Sequence, residues 1–451
     1  MKTDKSNNKV LSKLGLIFVA AGSAIGLGNI WRFPYFVAEH SGGTFIFAYL
    51  FFAFFIGFSV MLAEFIIGRH LGYPFLDGIK SKLKYGNFFS KAVYFNLIIV
   101  LILISFYFVV TAWTFYYFVQ SLIGFIEYKG NPIEYYEGIF GGLISNPLTL
   151  AGFSISVTLA TAFVNFKGLV KGVERINFFF LPALFIIFVI LIVRVLTLDN
   201  AVSGLNYIFT FNINALPSAI IPALGQALLS LSIGLSTMII FGSHTQNDYN
   251  LASSASTTVF LGAISGLFAS LLIIPAVVSF GYSMNSGPGL TFLTLPKIFS
   301  QIGFGAVFAT IFFFVVALAA FTSCIAILET GIPYIARIFN TTRGKAIIIL
   351  AVYCFISNIV MCLSLNVWSD FKIFGADLFS LASGALLDNA LMVGVLLIIL
   401  TLAIGISKET IQNQLTNGGT LKFYFLKTWM FATIFIAPLI IVASILYAIF
   451  G

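Results

Sequence analysis

Eleven long apolar runs decide what this chain can become. They fall at residues 14–37, 43–69, 89–124, 148–166, 173–196, 216–243, 252–283, 304–337, 345–363, 378–405 and 424–449. Each is long enough to cross the hydrocarbon core of a bilayer as a helix, and too long for a barrel strand. Lipid cannot satisfy freed backbone groups, so such runs must bond internally as helices. Only 8% of the 451 residues are charged, where a soluble domain carries about 25%, and the mean hydropathy is +1.07. The expectation is an all-α polytopic membrane protein, one transmembrane domain over residues 1–451. A shorter amphipathic stretch, 290–301, is expected to re-enter between spans 7 and 8. No small-residue cleavage site follows the first run, so no cleaved leader is expected.

The net charge of +8 reads as topology rather than as affinity for nucleic acid. Lys2, Lys5, Lys9 and Lys13 precede span 1, and Lys and Arg recur in the 2–3, 4–5, 8–9 and 10–11 connections. The 3–4 connection instead carries Glu127, Glu134 and Glu137 against Lys129. The positive-inside rule then places the N-terminus in the cytoplasm and, after eleven spans, the C-terminus outside the cell (inner) plasma membrane. The cysteines Cys324, Cys354 and Cys362 lie in apolar runs, and His40, His70 and His244 are scattered. No metal spacing, phosphate loop or nucleophile–His–acid set is present, so the chain does not read as an enzyme.

Two spans are built to break. Within GLIFVAAGSAIGLGNIWRFPY (15–35), Gly22, Gly26 and Gly28 fall close together, with Asn29 and Arg32 beside them. Each glycine costs roughly 1 kcal/mol against alanine in a helix interior, and broken helix at membrane depth survives only where it lines a cavity or packs on protein. Span 6 repeats the pattern: Gly225, Gln226, Ser230, Ser232 and Gly234 interrupt an apolar run preceded by Pro217 and Pro222. Spans 1 and 6 open two five-span sets, 14–196 and 216–405, with 424–449 left over. Interrupted helices at matching places in two inverted halves point to a transporter site at the midplane.

GSAIGLGNIWRFPY, AEFIIGR (63–69), KGVERIN (171–177), GQALLSLSIG (225–234) and FTSCIAILE (321–329) together resemble the neurotransmitter:sodium symporter family, in particular its prokaryotic amino-acid transporters. The resemblance implies the inverted-repeat fold with broken helices 1 and 6, and sodium-coupled symport of a free amino acid. One sodium site is then expected from the carbonyls of Gly22, Ile25 and Ala319 with the hydroxyls of Thr322 and Ser323. A second would use Ala24, Asn29, Ser230 and the substrate carboxylate. The substrate carboxylate is expected at the N–H groups near Gly26 and Gly28 and at Tyr107; its ammonium at carbonyls of Ala24, Leu231 and Ser232. Leu103, Leu235 and Ile327 would line the side-chain pocket, with Ser232 beside it, and Leu229 stands where the family has an aromatic lid, which weakens the outer seal or leaves room for a bulkier, aromatic side chain.

Several positions depart from the family. Span 7 has no Asn, Asp or Glu; Thr257, Thr258 and Ser265 are its polar candidates near the site. Tyr49, Gln226 and Ser230 match the chloride site of the animal members, which Ser265 could complete. Arg32 matches the outer gate arginine, and Asp377 is the expected partner. At the inner gate the usual N-terminal Arg-x-x-Trp is Asn7-Asn8-Lys9-Val10, the aspartate ending helix 8 is Arg337, and the tyrosine ending helix 6 is His244. Glu64 and Glu329 are expected to satisfy helix-break or backbone groups, and Asp388, placed mid-helix 10, to pair with a polar group or take up a proton or cation. The leading reading is sodium-coupled import of a hydrophobic or aromatic amino acid. A proton-coupled or sodium-independent variant and an amino-acid sensor are its rivals, and a channel is disfavoured for want of a continuous polar stripe.

Overall fold

The computed structural model describes residues 10–124, 133–284 and 290–450. All the regular structure among them is helical. Ten helices are long and apolar enough to cross a membrane, and one bent pair supplies an eleventh span. Span 1 is that pair, Lys13–Ala24 and Gly28–Glu39, bent by 48°. Then come span 2 (Gly43–Leu71), span 3 (Gly86–Leu122), span 4 (Pro147–Phe166) and span 5 (Leu169–Leu196). Span 6 is Ile213–Ser230 continued, after a break, by Thr237–Ser243. Span 7 (Leu251–Ser279), span 8 (Gly305–Ile338), span 9 (Arg343–Ser364), span 10 (Leu378–Gly405) and span 11 (Leu426–Tyr447) complete the set. The eleven expected runs each hold a span, with ends displaced by a few residues. The stretch at 290–301 is helical, ending in Leu295–Gln301. Four short helices, Phe75–Lys82, Ile133–Ser145, Ala201–Phe209 and Lys408–Thr416, are too short to cross a bilayer and lie in connections.

Hydrogen bonds between connections fix which of them share a face. Leu11 N–H donates to His244 O, and Lys84 N–H to Gly405 O. Arg69 reaches the Tyr249 carbonyl at 2.9 Å and Gln414 Oε1 at 2.6 Å. The start of the chain and the 2–3, 6–7 and 10–11 connections therefore lie together, on what we call the N-terminal face. On the opposite face, Tyr207 Oη donates to Ala38 O at 2.7 Å and Asn366 Nδ2 to Ile144 O at 2.8 Å. These join the 1–2 connection to the 5–6, and the 3–4 to the 9–10. Odd and even connections separate onto two faces, as an up-and-down crossing of eleven spans requires.

Spans 1 and 8, and the part of span 6 beside its break, are mostly buried, whereas spans 4, 5, 9 and 11 present exposed Leu, Ile, Val and Phe outward. In a spanning protein that exposed surface faces acyl chains. The centre of the molecule is thus where lipid is excluded and irregular backbone can survive.

Candidate substrate and sodium site

The regular α-helix of span 1 ends at Ala24 and resumes at Gly28 with a π-helical turn, Gly28–Arg32. The groups freed in between are claimed by neighbours. Leu27 N–H donates to Tyr107 Oη at 2.9 Å. Gln226 Nε2 donates to Gly28 O at 3.0 Å. Ser232 Oγ donates to Ser23 O at 2.9 Å, so one break is stitched to the other.

Span 6 opens between Ser230 and Thr237. Ser232, Gly234 and Ser236 take φ of 52°, 84° and 68° there, left-handed conformations that β-branched residues resist. At Gly234 a Cβ would also meet the Leu391 carbonyl at 2.8 Å. The amides released at the second half-helix point at Glu64, whose carboxylate accepts from Gly234 N–H at 2.8 Å and Met238 N–H at 3.2 Å. Glu64 therefore serves helix-break groups, as expected. Glu329 does not: it forms a two-pronged pair with Arg343, at 2.8 and 2.5 Å. Arg343 sits just past the turn between spans 8 and 9, so the cation reaches Glu329 before any backbone group does.

Between the breaks lies a cavity lined by Ala24, Gly26, Gly28, Leu103, Tyr107, Leu229, Ser232, Leu235 and Ile327, with Ser23, Asn29, Ser230 and Ser323. Leu231, the remaining residue of the expected substrate set, is not on that wall. Its side chain is turned toward Gly57 and Gly262, where added Cβ atoms would meet it at 2.3 and 3.0 Å. Gly26 has no room for a side chain: a Cβ would meet Ser323 Oγ at 2.3 Å and Tyr107 Oη at 2.6 Å. Gly28 has room, its nearest neighbour being Leu229 at 3.9 Å. Tyr107 accepts from Leu27, which leaves its own proton to donate into the cavity.

Asn29 is fully buried. Its Nδ2 lies 3.0 Å from Ala24 O, 3.0 Å from Gly262 O and 2.8 Å from Ser265 Oγ. Its Oδ1 is buried without a hydrogen-bond donor. The amide nitrogen already takes those three acceptors, and Oδ1 is left over as an oxygen of the kind a hard cation prefers. Ser230 is close by, its Oγ 3.1 Å from Tyr49 Oη. Of the chloride candidates, Ser265 donates to Gly262 O at 2.7 Å and Gln226 is spent on Gly28. Thr257 lies toward the N-terminal-face end of span 7, and Thr258 bonds back to Ser254 O.

At the other expected sodium position, Thr322 Oγ1 bonds Ala319 O at 3.0 Å and Ser323 Oγ bonds Ser23 O at 3.4 Å. Gly22 backs onto Asn177: a Cβ there would fall 1.8 Å from Asn177 Oδ1, another buried oxygen without a donor. Asn177 and Ser23 have no role assigned by the sequence patterns alone. The signal for Asn177 was present, a lone amide in the apolar run of span 5.

Both ends of the cavity are shut. On the opposite face Arg32 pairs with Asp388, Nη1–Oδ1 at 3.0 Å and Nη2–Oδ2 at 2.5 Å. This corrects the expected Arg32–Asp377 pair. Asp377 instead caps the first helix of span 10, accepting from Ser380 N–H at 2.9 Å and Ser380 Oγ at 2.6 Å. Asp388 is not mid-helix either: span 10 breaks at Gly384, and Asp388 falls in the first turn after the break. Trp113 packs beside this closure, stacked on Phe379 at 5.4 Å and edge-on to Trp31 at 6.3 Å.

On the N-terminal face, Arg337 pairs with Asp77 at 2.7 Å and Lys13 with Asp248 at 2.7 Å. Leu11 is clamped to the 6–7 connection, donating to His244 O and accepting from Tyr249 Oη at 2.5 Å. The His244 ring lies 4.4 Å from that of Tyr73. Asn7, Asn8 and Lys9 lie outside the described residues.

This arrangement has known counterparts. Residues 7–137 and 127–450 match the profile of the Sodium:neurotransmitter symporter family. An uncharacterized sodium-dependent transporter of Bacillus subtilis, YhdH, is 33% identical over 432 residues, 96% of this chain and 95% of that one. The sodium- and chloride-dependent taurine transporter of Rattus norvegicus is 27% identical over 404 residues, 77% of this chain and 64% of its own. The crystal structure of MhsT in complex with L-phenylalanine superposes with a TM-score of 0.88 at 31% identity, covering 98% of this chain and 99% of that one. With its broken spans, its buried polar centre and these likenesses over nearly its whole length, the chain belongs to the sodium:neurotransmitter symporter family and is a multi-span, sodium-dependent membrane symporter.

Proposed function

We propose that the chain imports an amino acid with a hydrophobic or aromatic side chain, drawn in with sodium by alternating access between its two faces. The observation that carries this is the unserved Asn29 Oδ1 at a cavity where both broken spans present backbone and hydroxyl oxygens. The substrate carboxylate takes the amides near Gly26 and Gly28 and the proton of Tyr107. Its ammonium takes carbonyls of Ala24 and Ser232, both on the cavity wall. Leu103, Leu229, Leu235 and Ile327 form an apolar wall with no charge to reward a polar side chain. The L-phenylalanine held by MhsT supports an aromatic occupant, and Leu229 in place of a ring leaves space for one.

Two sodium ions enter with it. One is held by Ala24, Asn29, Ser230 and the substrate carboxylate; the other by Gly22, Ile25, Ala319, Thr322 and Ser323. Span 7 brings a hydroxyl, Ser265, and no acid to the first ion, so a chloride at Tyr49, Gln226, Ser230 and Ser265 balances the charge once Gln226 and Ser265 turn from Gly28 O and Gly262 O. The N-terminal face is cytoplasmic and the C-terminus external. Residues 14–196 and 216–405 act as the two inverted halves, with 424–449 outside them.

Radiolabelled phenylalanine, leucine and glycine uptake into proteoliposomes, with sodium, chloride and proton gradients imposed one at a time, tests this reading. Sodium-driven uptake of the larger substrates, enhanced by chloride, is the expected result. Equal uptake without sodium defeats it, and binding without uptake under any gradient makes the protein a sensor.

A further inference from the structure

The connection between spans 9 and 10 displays apolar side chains where water would be expected. Val367, Trp368, Phe371 and Phe374 are 68%, 42%, 56% and 97% exposed. Phe374 is held out at a cost. Ile373 and Ala376 exchange two backbone hydrogen bonds, at 2.9 and 3.1 Å. Phe374 and Gly375 turn the corner between them with φ of 52° and 81°. A bulky aromatic residue rarely accepts positive φ, and such strain persists where it serves a purpose.

The length of span 9 sets the depth of this loop. Its 22 residues rise about 33 Å, against a hydrocarbon core of about 30 Å. Starting from Arg343 at the N-terminal face, the helix therefore ends in the headgroup zone of the far leaflet. The outward stripe of span 9, Ile348, Val352 and Ile356, runs along lipid up to the foot of the loop. The base of the loop is pinned: Phe379 N–H donates to Ser364 Oγ at 3.2 Å, and Ser364 Oγ reaches Asp377 Oδ1 at 3.4 Å. Trp favours this boundary, and Phe is among the residues that bury into it from an interfacial segment.

We propose that Val367, Trp368, Phe371 and Phe374 form a foot seated in the headgroup–acyl boundary of the leaflet away from the N-terminal face. Through its pinned base, the foot steadies Phe379 and with it the Trp113 stack beside the Arg32–Asp388 closure. This rests on the crossing of the spans and not on the choice of substrate.

The four tryptophans make the test direct. Trp31, Trp113 and Trp429 are buried and Trp368 is exposed, so the emission lost on Trp368→Phe reports the foot. In nanodiscs holding one copy of the full chain, phospholipid brominated high on its acyl chains quenches that component by about twofold or more, while aqueous iodide hardly reaches it. Strong iodide quenching without bromolipid quenching overturns the proposal. So does bromolipid quenching confined to discs with two copies, which makes the patch a self-association surface. The double change Phe371→Ser, Phe374→Ser leaves every span intact. It should expose Trp368 to iodide and speed hydrogen exchange at residues 378–384 about threefold. Exchange unaltered while Trp368 leaves the lipid removes the link to the closure.

Discussion

The two closures of this molecule are built from different materials. The one beside Trp113 relies on a single charge pair largely withdrawn from solvent, with Arg32 and Asp388 side chains 8% and 22% exposed, set among aromatic rings. The N-terminal face spreads its charges: Arg337–Asp77 and Lys13–Asp248 are all more than 40% exposed, and among the described residues Arg343–Glu329 alone is withdrawn there, at 20% and 2% exposed. Removing one partner of a buried pair strands the other and costs about 3–5 kcal/mol. An exposed pair contributes about 0–1 kcal/mol. One face therefore hangs on a single pair, while the other divides its closure between one buried pair and two weak exposed ones.

Asp388→Asn should break this comparison most severely. It leaves Arg32 charged among rings; since Asp388 keeps some exposure, the cost falls toward about 3 kcal/mol, a shift of roughly a hundredfold toward the open state. A cysteine reporter near Trp113 should become labelled from that side, and sodium-driven uptake should collapse. Retained uptake and protection would mean that the rings close this face unaided.

Glu329→Gln is the matching cut on the N-terminal face, with an effect of about 2–3 kcal/mol. Arg343 also bonds Asn165 O at 3.0 Å, which keeps part of its charge satisfied. Labelling should rise on the N-terminal face only, and the double change Glu329→Gln, Arg343→Gln should recover part of the loss. No recovery would show that the two residues act separately.

Gly225→Ala sharpens the first contrast without touching a charge. A Cβ there meets Asp388 Cγ at 3.2 Å, so the carboxylate must give way by a few tenths of an ångström. A cost of about 1 kcal/mol is expected, within the range for overpacking, read as partial labelling near Trp113. Full protection would show that Asp388 has slack.

The same contrast explains what could be read from the sequence. The spans followed from hydropathy because lipid imposes one rule on every residue. The breaks followed from Gly26 and Gly234, whose surroundings leave no room for a side chain. The partner of Arg32 did not follow, because a charge pair depends on where a helix ends. Asp377 is followed three residues on by Ser380 at the start of an apolar run, a capping pattern that already gives its carboxylate a task. Gly384 then breaks span 10 and places Asp388 against Gly225, which no periodicity conveys. The Glu329–Arg343 pair was hidden differently: its members flank the 8–9 turn, where a helical hairpin brings them together only once the turn length is known. The short connecting helices escaped because 8 to 13 residues carry too little periodic signal.

The smallest effect is a pH dependence confined to the N-terminal face. Burial, against the opposing pull of its hydrogen bond to Ile240 O, holds the His244 imidazole below its ordinary value. Opening returns it to water, so the open form takes up a proton that the closed form refuses. The closed form is thus fully favoured above about pH 6.5, the unperturbed value, and loses ground as pH falls through that value. Asp248 behaves at a different pH. The hydrogen bond from Lys13 holds its carboxyl below the ordinary value, so its contribution is intact above about pH 4 and fades only below that. Labelling on the N-terminal face should therefore rise modestly between pH 7 and 5.5, in a range where Asp248 is silent. Substituting His244→Asn should flatten that rise, whereas Asp248→Asn should leave its shape intact. A rise that survives His244→Asn would trace the proton to another group and remove His244 from the closure.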